Sequence, residues 1–261
     1  CSVVKNIDKK IFDQNFIGFE MLLSFLHILL IPTISYKFKI RPRVDQTLKE
    51  QLKELYEDHI IRSYKDSRLQ MYGHTDCEYG ALRLIYDTEV FSFNCGVESI
   101  PSADFVNAEH VVPQSFFNKV TPMVSDLHHL LSSPSKINNC RSNYKFEQFD
   151  YSKCEKWCND NVCTKTAPSD DLKDKYSCLS SSTTFLPRLE DRGEIARAVL
   201  YFYTVYPTYD LSRVGDVETF KKWNRDYPPS AFEIARNNAI NRTQGNRNPF
   251  IDDPSLADKV W

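Results

Sequence analysis

The sequence predicts a mixed α+β domain, and three features near its middle lead to that prediction. Two valines followed by Pro113 are typical of the end of a strand, because β-branched residues favour strands and proline stops the ladder of hydrogen bonds. The segment DLHHLLSS, residues 126–133, is typical of a second short strand. Ser133-Pro134 then favours the start of a helix, with Ser133 or Ser135 as its cap.

The same part of the chain, residues 107–143, concentrates polar groups of four kinds. It contains three of the six histidines, and a Glu109-His110 dipeptide lies at the end of the first strand. Amides and cations follow, with no acidic residue among them: Lys136, Asn138, Asn139, Arg141, Asn143 and Lys145. A carboxylate, an imidazole, an amide and a cation are the groups that metal-assisted cleavage of a phosphodiester needs.

Scaffold elements are predicted before this segment. A helix is expected from Thr47 to about Tyr64, because apolar residues at helical spacing share one face and Thr47 with Glu50 fits a capping box. Residues 82–95 predict two strands joined by a turn, which lead into the central segment.

Three helices are predicted after the central segment. Residues 192–203 are apolar nearly all round, which indicates a central, buried helix with Asp191 as its cap. Asp216 and Ser230 are the predicted caps of the other two. Residues 234–251 carry three arginines and no acidic residue, which indicates either a solvated face or half of a phosphate-binding groove: Arg236, Arg242 and Arg247.

Length and charge limit the classes of function. The chain has 261 residues, 41% of them hydrophobic, which suffices for a sizeable core, and no linker separates two domains. With a net charge of −2, the protein as a whole does not attract polyanions. Binding of nucleic acid would therefore depend on local positive patches.

Residues 1–35 are predicted to be a leader. Met21 opens the apolar run MLLSFLHILLIPTIS, which has the length of a signal peptide and is short for a transmembrane span. The alternatives are a signal anchor and a buried helix. We expect a signal peptide at 21–35, a single mature domain at 36–261 and a secreted protein.

The cysteines support secretion. Four of the eight lie between Cys154 and Cys178 in a polar stretch, so residues from about 150 to 184 are predicted to be an insertion stapled by disulfides. The alternative for this stretch is a zinc site made of its first three cysteines. Elsewhere, Cys77 with Cys95 is the predicted bridge.

Five motifs in order resemble the endonuclease I family, whose members are secreted or periplasmic nucleases of the ββα-metal (His-Me finger) superfamily. The resemblance extends from about residue 48 to 261, and its motifs are EHVVPQSFF, PMVSDLHHL, INNCRSNYKF, RGEIARAVLYFY and QGNRNPFIDDP. It implies a ββα-metal core wrapped by helices. It also implies magnesium-dependent, sequence-nonspecific cleavage of DNA and RNA that leaves 5′-phosphate and 3′-hydroxyl ends.

The resemblance also implies roles for individual residues. His110 falls on the general base that activates water, and Glu109 and Asn138 fall on the magnesium ligands. An arginine that holds the scissile phosphate in some members has no counterpart, because Lys119 is the lone cation between His110 and the next histidine. Arg141 is the candidate for that contact.

Two other functions remain open from the sequence. One is a zinc hydrolase that uses His110, His128 and His129, although the neighbouring amides are poor zinc ligands. The other is a catalytically inactive extracellular protein that binds nucleic acid. We expect a monomer in every case, with no stable membrane association after cleavage of the signal peptide.

Overall fold

The computed structural model describes residues 46–181 and 183–261. The predicted leader at 1–35 lies outside these residues. Within them, helices and strands are mixed, as predicted. The helices are α1 (Leu48–Tyr56), α2 (Tyr64–Gln70), α3 (Ser135–Arg141), α4 (Arg192–Val205), α5 (Val217–Asp226), α6 (Ala231–Gln244), α7 (Pro249–Asp252) and α8 (Leu256–Val260).

The strands of the described residues form three sheets. The first is antiparallel with the order β1-β2-β3, and the second is the antiparallel pair β4-β5. The third has the order β6-β10-β9-β7-β8, in which β6 and β10 run parallel. The strands are β1 (Cys77–Glu78), β2 (Ala81–Arg83), β3 (Val90–Ser92), β4 (Val106–His110), β5 (Leu130–Pro134), β6 (Lys145–Phe146), β7 (Cys154–Asn159), β8 (Val162–Thr164), β9 (Ser177–Ser180) and β10 (Thr184–Leu186).

The first predicted helix is confirmed at its start and corrected at its end. Thr47 and Glu50 form the capping box, but α1 ends at Tyr56 and a second helix begins only at Tyr64. The hairpin predicted over residues 82–95 is present as β2 paired with β3.

Helix α4 is the centre of the larger hydrophobic core. All of its residues are buried, and two of its three charged residues form ion pairs: Glu194 with the partly exposed Arg83, and Arg197 with the buried Glu233. The prediction of a central helix is confirmed, whereas the capping role of Asp191 is wrong. The Asp191 carboxylate makes no cap bond because it binds Arg188 and the backbone N–H of Tyr86.

The other two caps are confirmed. The side chain of Asp216 accepts from the Thr219 N–H, and that of Ser230 accepts from the Glu233 N–H. Glu233 completes no capping box, because its carboxylate is bound to Arg197.

The predicted Cys77–Cys95 bridge is confirmed, and so are disulfides within the Cys-rich stretch, whose pairing the sequence left open. Cys77 is bonded to Cys95, Cys154 to Cys178 and Cys158 to Cys163. The Cys-rich stretch is more than a stapled loop, because it supplies β7, β8 and β9 to the third sheet.

The arginines of residues 234–251 mostly do not face solvent. Arg236 is buried, forms an ion pair with Asp76 and donates to two backbone carbonyls. Arg247 is also buried and pairs with Asp252. Arg242 is exposed, so the prediction of a shared face or groove for the three is wrong. No helix within residues 46–181 and 183–261 is long and apolar enough to cross a membrane.

Candidate active site

The candidate site is built on β4, β5 and α3. Strands β4 and β5 are antiparallel, with Glu109 opposite Leu131 and His110 opposite Leu130. Helix α3 follows β5 without a loop. The predicted serine caps are absent from its start: Pro134 occupies the cap position, and the Ser135 hydroxyl donates to the Ala103 carbonyl at 2.6 Å.

His110 is buried at the end of β4 with one ring nitrogen bonded and the other without a partner. Its Nε2 lies 2.9 Å from the Val124 carbonyl oxygen, while Nδ1 is buried and has no hydrogen-bond partner. Because a carbonyl accepts hydrogen bonds and never donates them, Nε2 carries the proton. Nδ1 therefore has a free lone pair.

The surroundings of His110 favour a neutral ring. Burial, with the nearby His129, lowers the pKa of His110 to about 3, and the bond to Val124 opposes that shift. The ring also lies against Tyr64, with ring centroids 5.4 Å apart. The imidazole is thus neutral over the usual pH range.

Glu109 is held at one of its two carboxylate oxygens. Oε1 accepts a hydrogen bond from the Tyr86 hydroxyl at 2.7 Å and lies 3.2 Å from the Arg141 guanidinium. Within the described part of the chain, Oε2 has no hydrogen-bond partner. Burial raises the pKa of Glu109, while Arg141 and the Tyr86 hydroxyl counteract this.

Asn138, in the second turn of α3, is oriented by β4. Its Nδ2 donates to Asn107 Oδ1 at 2.6 Å. An amide whose NH₂ group is held in this way presents its oxygen in the other direction. Both asparagines are half-buried, so this end of the site reaches solvent.

Arg141 lies behind the site rather than at its open side. It is buried, its guanidinium stacks on Phe146 at 4.4 Å, and it donates to the carbonyls of His110 and Val111 at 3.2 and 2.6 Å. With the ion pair to Glu109, these contacts fix the end of β4. They leave Arg141 poorly placed for the phosphate contact predicted from the sequence.

The three histidines of the segment are directed to separate backbone carbonyls. His128 Nε2 lies 3.3 Å from the Asn246 oxygen, and His129 Nε2 lies 2.6 Å from the Met123 oxygen. Among the described residues, no histidine belongs to a cluster of side chains close enough to share a metal ion; the one such cluster is Cys140 with the disulfide-bonded Cys158 and Cys163. The structure therefore gives no support to a zinc site made of the three histidines.

Asp126 is an organising residue that the sequence analysis missed. Its buried carboxylate accepts from the hydroxyls of Tyr201 and Tyr206, from Gln244 and from the backbone N–H of His128. This anchors the turn that presents the Val124 carbonyl to His110. The side-chain partners come from α4, from the residue after it and from 118 residues downstream, so no local pattern could have identified them.

Tyr64 and Arg68 were also missed, because they lie far from His110 in sequence. Both belong to α2, and the Arg68 guanidinium lies over the Tyr64 ring, 4.7 Å from its centroid. Arg68 Nε is buried without a hydrogen-bond partner. In the part of the chain that the structure describes, Arg68 forms no ion pair with a carboxylate. Arg68 is thus a cation with free hydrogen-bond donors, and the Tyr64 ring lies between it and His110.

Comparison with known proteins found a matching family model and several similar sequences. The Endonuclease I family model matches residues 39–255. The chain is 26% identical to an extracellular deoxyribonuclease of Aeromonas hydrophila over 230 residues, covering 78% of this chain and 87% of that protein. It is 28% identical to an extracellular ribonuclease of Bacillus amyloliquefaciens over 173 residues, covering 59% of this chain and 53% of that protein.

A periplasmic deoxyribonuclease of Aeromonas hydrophila is 30% identical over 141 residues, covering 52% of this chain and 49% of that protein. The extracellular and periplasmic locations of these relatives, together with three disulfides, confirm the prediction of a secreted protein. Since the family model covers most of the sequence, the chain belongs to the endonuclease I family.

Proposed function

We propose that the protein is a metal-dependent, sequence-nonspecific endonuclease that hydrolyses DNA and RNA to 5′-phosphate and 3′-hydroxyl ends. The observation that carries this proposal is the free Nδ1 of the buried His110, on the same strand that carries Glu109 and that holds the Asn138 amide through Asn107. The names of the relatives, which include deoxyribonucleases and ribonucleases, support both substrates.

The donor set fits magnesium. Glu109 Oε2 and Asn138 Oδ1 are hard oxygen donors with no protein hydrogen bond among the described residues. Magnesium prefers oxygen ligands and keeps several waters, so two protein ligands suffice. When bound, the ion supplies Lewis-acid stabilisation of charge on the phosphate and the leaving oxygen.

His110 performs the proton transfer. Its Nδ1 takes a proton from the attacking water, and the Val124 carbonyl holds Nε2–H so that the ring keeps its orientation. The negative phosphate of the substrate favours the imidazolium that results. The Tyr64 ring, packed against His110, excludes water from one side.

Arg141 and Arg68 have different roles in this proposal. Arg141 is a positioning residue, because its donors go to the carbonyls of β4 and to Glu109. Arg68 binds the substrate phosphate, because its guanidinium has free donors and is pre-oriented by Tyr64. Contacts to the phosphate backbone carry no base information, which accounts for nonspecific cleavage.

The test of the proposed function is a plasmid-nicking assay with oxidatively folded protein. Supercoiled DNA and a labelled RNA are incubated with magnesium or with EDTA, using wild type, Glu109→Gln and Asn138→Ala. We expect magnesium-dependent cleavage of both substrates and a strong loss in both variants. Well-folded wild type without activity on either substrate would instead support the inactive binding protein.

The role of Arg68 has its own test. Arg68→Ala should raise KM on duplex DNA about 10-fold, and the slope of log affinity against log salt should become shallower by about 0.9. Arg242→Ala, which removes an exposed arginine of α6, is the matched control. An unchanged salt slope in Arg68→Ala would show that Arg68 does not contact phosphate.

A further inference from the structure

A pair of aromatic rings lies on the surface beside β4. The rings of Phe91 and Phe105 are stacked, with centroids 6.3 Å apart and planes inclined by 29°. Phe91, on β3, is partly buried against a second, smaller hydrophobic core that includes Leu82 and Val106, whereas Phe105 is 56% exposed. One ring is therefore anchored in the fold and supports a second ring that is open to solvent.

The pair is joined to the open end of the candidate site. Phe105 directly precedes β4, and its carbonyl accepts a hydrogen bond from the Ser135 N–H at the start of α3 at 2.9 Å. Two residues further along β4, Asn107 holds the Asn138 amide. Phe105 lies in the turn before β4 with one residue between it and Asn107, so their Cα atoms are at most about 7 Å apart. This distance is comparable to the length of one nucleotide.

We propose that Phe91 and Phe105 form a stacking platform for a base of single-stranded nucleic acid, next to the scissile phosphate. The proposal rests on the proposed nuclease function and adds a substrate class to it. An exposed ring supported by a second ring suits a base, because every base offers a flat π-face and needs no sequence-specific contact. Bases in an intact duplex are stacked on each other and cannot use the platform.

The charged side chains near the platform are of both signs, so we expect stacking to supply most of the binding energy of the base. Asp104 is exposed and directly precedes Phe105, with its carboxylate accepting from the Ser102 hydroxyl. Lys136, exposed in the first turn of α3, is the cation next to Ser135. A carboxylate beside the ring repels phosphate, so the contribution of the platform to binding is expected to be nearly independent of salt.

The experiment compares single-stranded and duplex oligonucleotides. Binding of a labelled oligothymidine and of a labelled DNA hairpin is measured by fluorescence anisotropy in EDTA, so that no cleavage occurs. Phe105→Ala should weaken binding of the single strand about 5- to 100-fold at both low and high salt, and leave hairpin binding unchanged. Val90→Ser, which changes an exposed apolar residue of β3, is the matched control and should change neither.

A conservative variant separates stacking from a structural effect. Phe105→Trp should keep the affinity for the single strand, and its added fluorescence should be quenched when oligothymidine binds. An equal loss of single-strand and hairpin binding in Phe105→Ala, or no loss at all, would overturn the platform. So would a dimer of the wild type that dissociates in Phe105→Ala, because the rings would then form a protein interface.

Measurements on the same samples separate failure of the stacking platform from failure of the proposed nuclease function. Wild type that cleaves nucleic acid with magnesium, but whose single-strand binding is unaffected by Phe105→Ala, refutes the platform and leaves the nuclease function intact. Wild type that neither binds nor cleaves either substrate refutes both.

Discussion

At the scale of single residues, the Tyr86 hydroxyl is a main determinant of where the Glu109 carboxylate points. It donates to Oε1 at 2.7 Å from a fully buried ring and so directs Oε2 away from the protein contacts. In the proposed site Glu109 binds the metal, and removal of a hydrogen-bond partner behind a metal ligand typically changes metal affinity 10- to 100-fold.

Tyr86→Phe should therefore raise the magnesium concentration for half-maximal activity about 10-fold, with little change in activity at saturating magnesium. A magnesium titration of plasmid nicking measures this. The matched control is Tyr203→Phe, which removes another buried hydroxyl, one without a hydrogen-bond partner. An equal magnesium requirement in wild type and Tyr86→Phe would mean that the hydroxyl does not orient the carboxylate.

The candidate site residues predicted from the sequence are those whose pattern is local. Glu109, His110 and Asn138 lie in one segment, and the structure brings β4 and α3 together through Asn107. The residues that orient them were missed because they come from other elements. Tyr86 is 23 residues from Glu109, and Arg68 reaches the site only through packing of α2.

At the scale of elements, the Cys-rich hairpin is tied to the site helix. The N–H of Lys136, in the first turn of α3, donates to Asn161 Oδ1 in the turn between β7 and β8. The Asp87 carboxylate accepts from the N–H groups of Asp160 and Asn161 in the same turn. The composition of this stretch predicted a stapled loop, because its side chains are mostly polar. Its role as a support for α3 depends on backbone contacts that composition does not encode.

The Cys77–Cys95 disulfide should stabilise the first sheet. It closes a segment with a sequence separation of 18, for which loss of the cross-link costs about 3 kcal/mol. The double variant Cys77→Ser with Cys95→Ser should lower the free energy of unfolding by about that amount, as measured by urea denaturation.

The control for the disulfide is Cys140→Ser, which removes the free thiol of the described residues and breaks no bond. A stability of the double variant equal to that of Cys140→Ser would contradict the stabilising role. Because β3 lies between the two cysteines, the double variant should also weaken binding of single-stranded DNA through Phe91.

At the scale of the whole molecule, buried histidines make the stability depend on pH. Burial, assisted by Arg236, lowers the pKa of His128 from 6.5 to about 4, although Asp126 and the Asn246 carbonyl oppose that shift. The unfolded chain therefore binds a proton between pH 6.5 and 4 that the folded protein does not bind. Stability from this group is fully present above pH 6.5 and is lost as the pH falls towards 4.

The free energy of unfolding should thus fall on acidification across this window. His128 contributes up to about 1.4 kcal/mol per pH unit, and burial lowers the pKa of His129 in the same direction. His128→Asn should show a shallower dependence than wild type in urea denaturation between pH 4 and 7. Parallel curves for the two proteins would mean that the pKa of His128 is the same in the folded and unfolded states.

Some properties of the whole molecule could be predicted from the sequence because a short segment or a single residue type indicates them. The buried character of α4 followed from its apolar residues, and secretion followed from the cysteines. The positions of Arg236 and Arg247 could not be predicted, because their buried partners are set by tertiary packing. The predicted monomer is open to test by sedimentation of the same preparations.

The central claim is that His110 is the general base, and one measurement tests it most directly. The rate of plasmid nicking at saturating magnesium is compared between wild type and His110→Ala, with thermal unfolding by circular dichroism to confirm that the variant is folded. We predict a loss of about 10²- to 10⁴-fold with a native-like unfolding transition. A folded His110→Ala protein that retains nicking within a few-fold of wild type would contradict the claim.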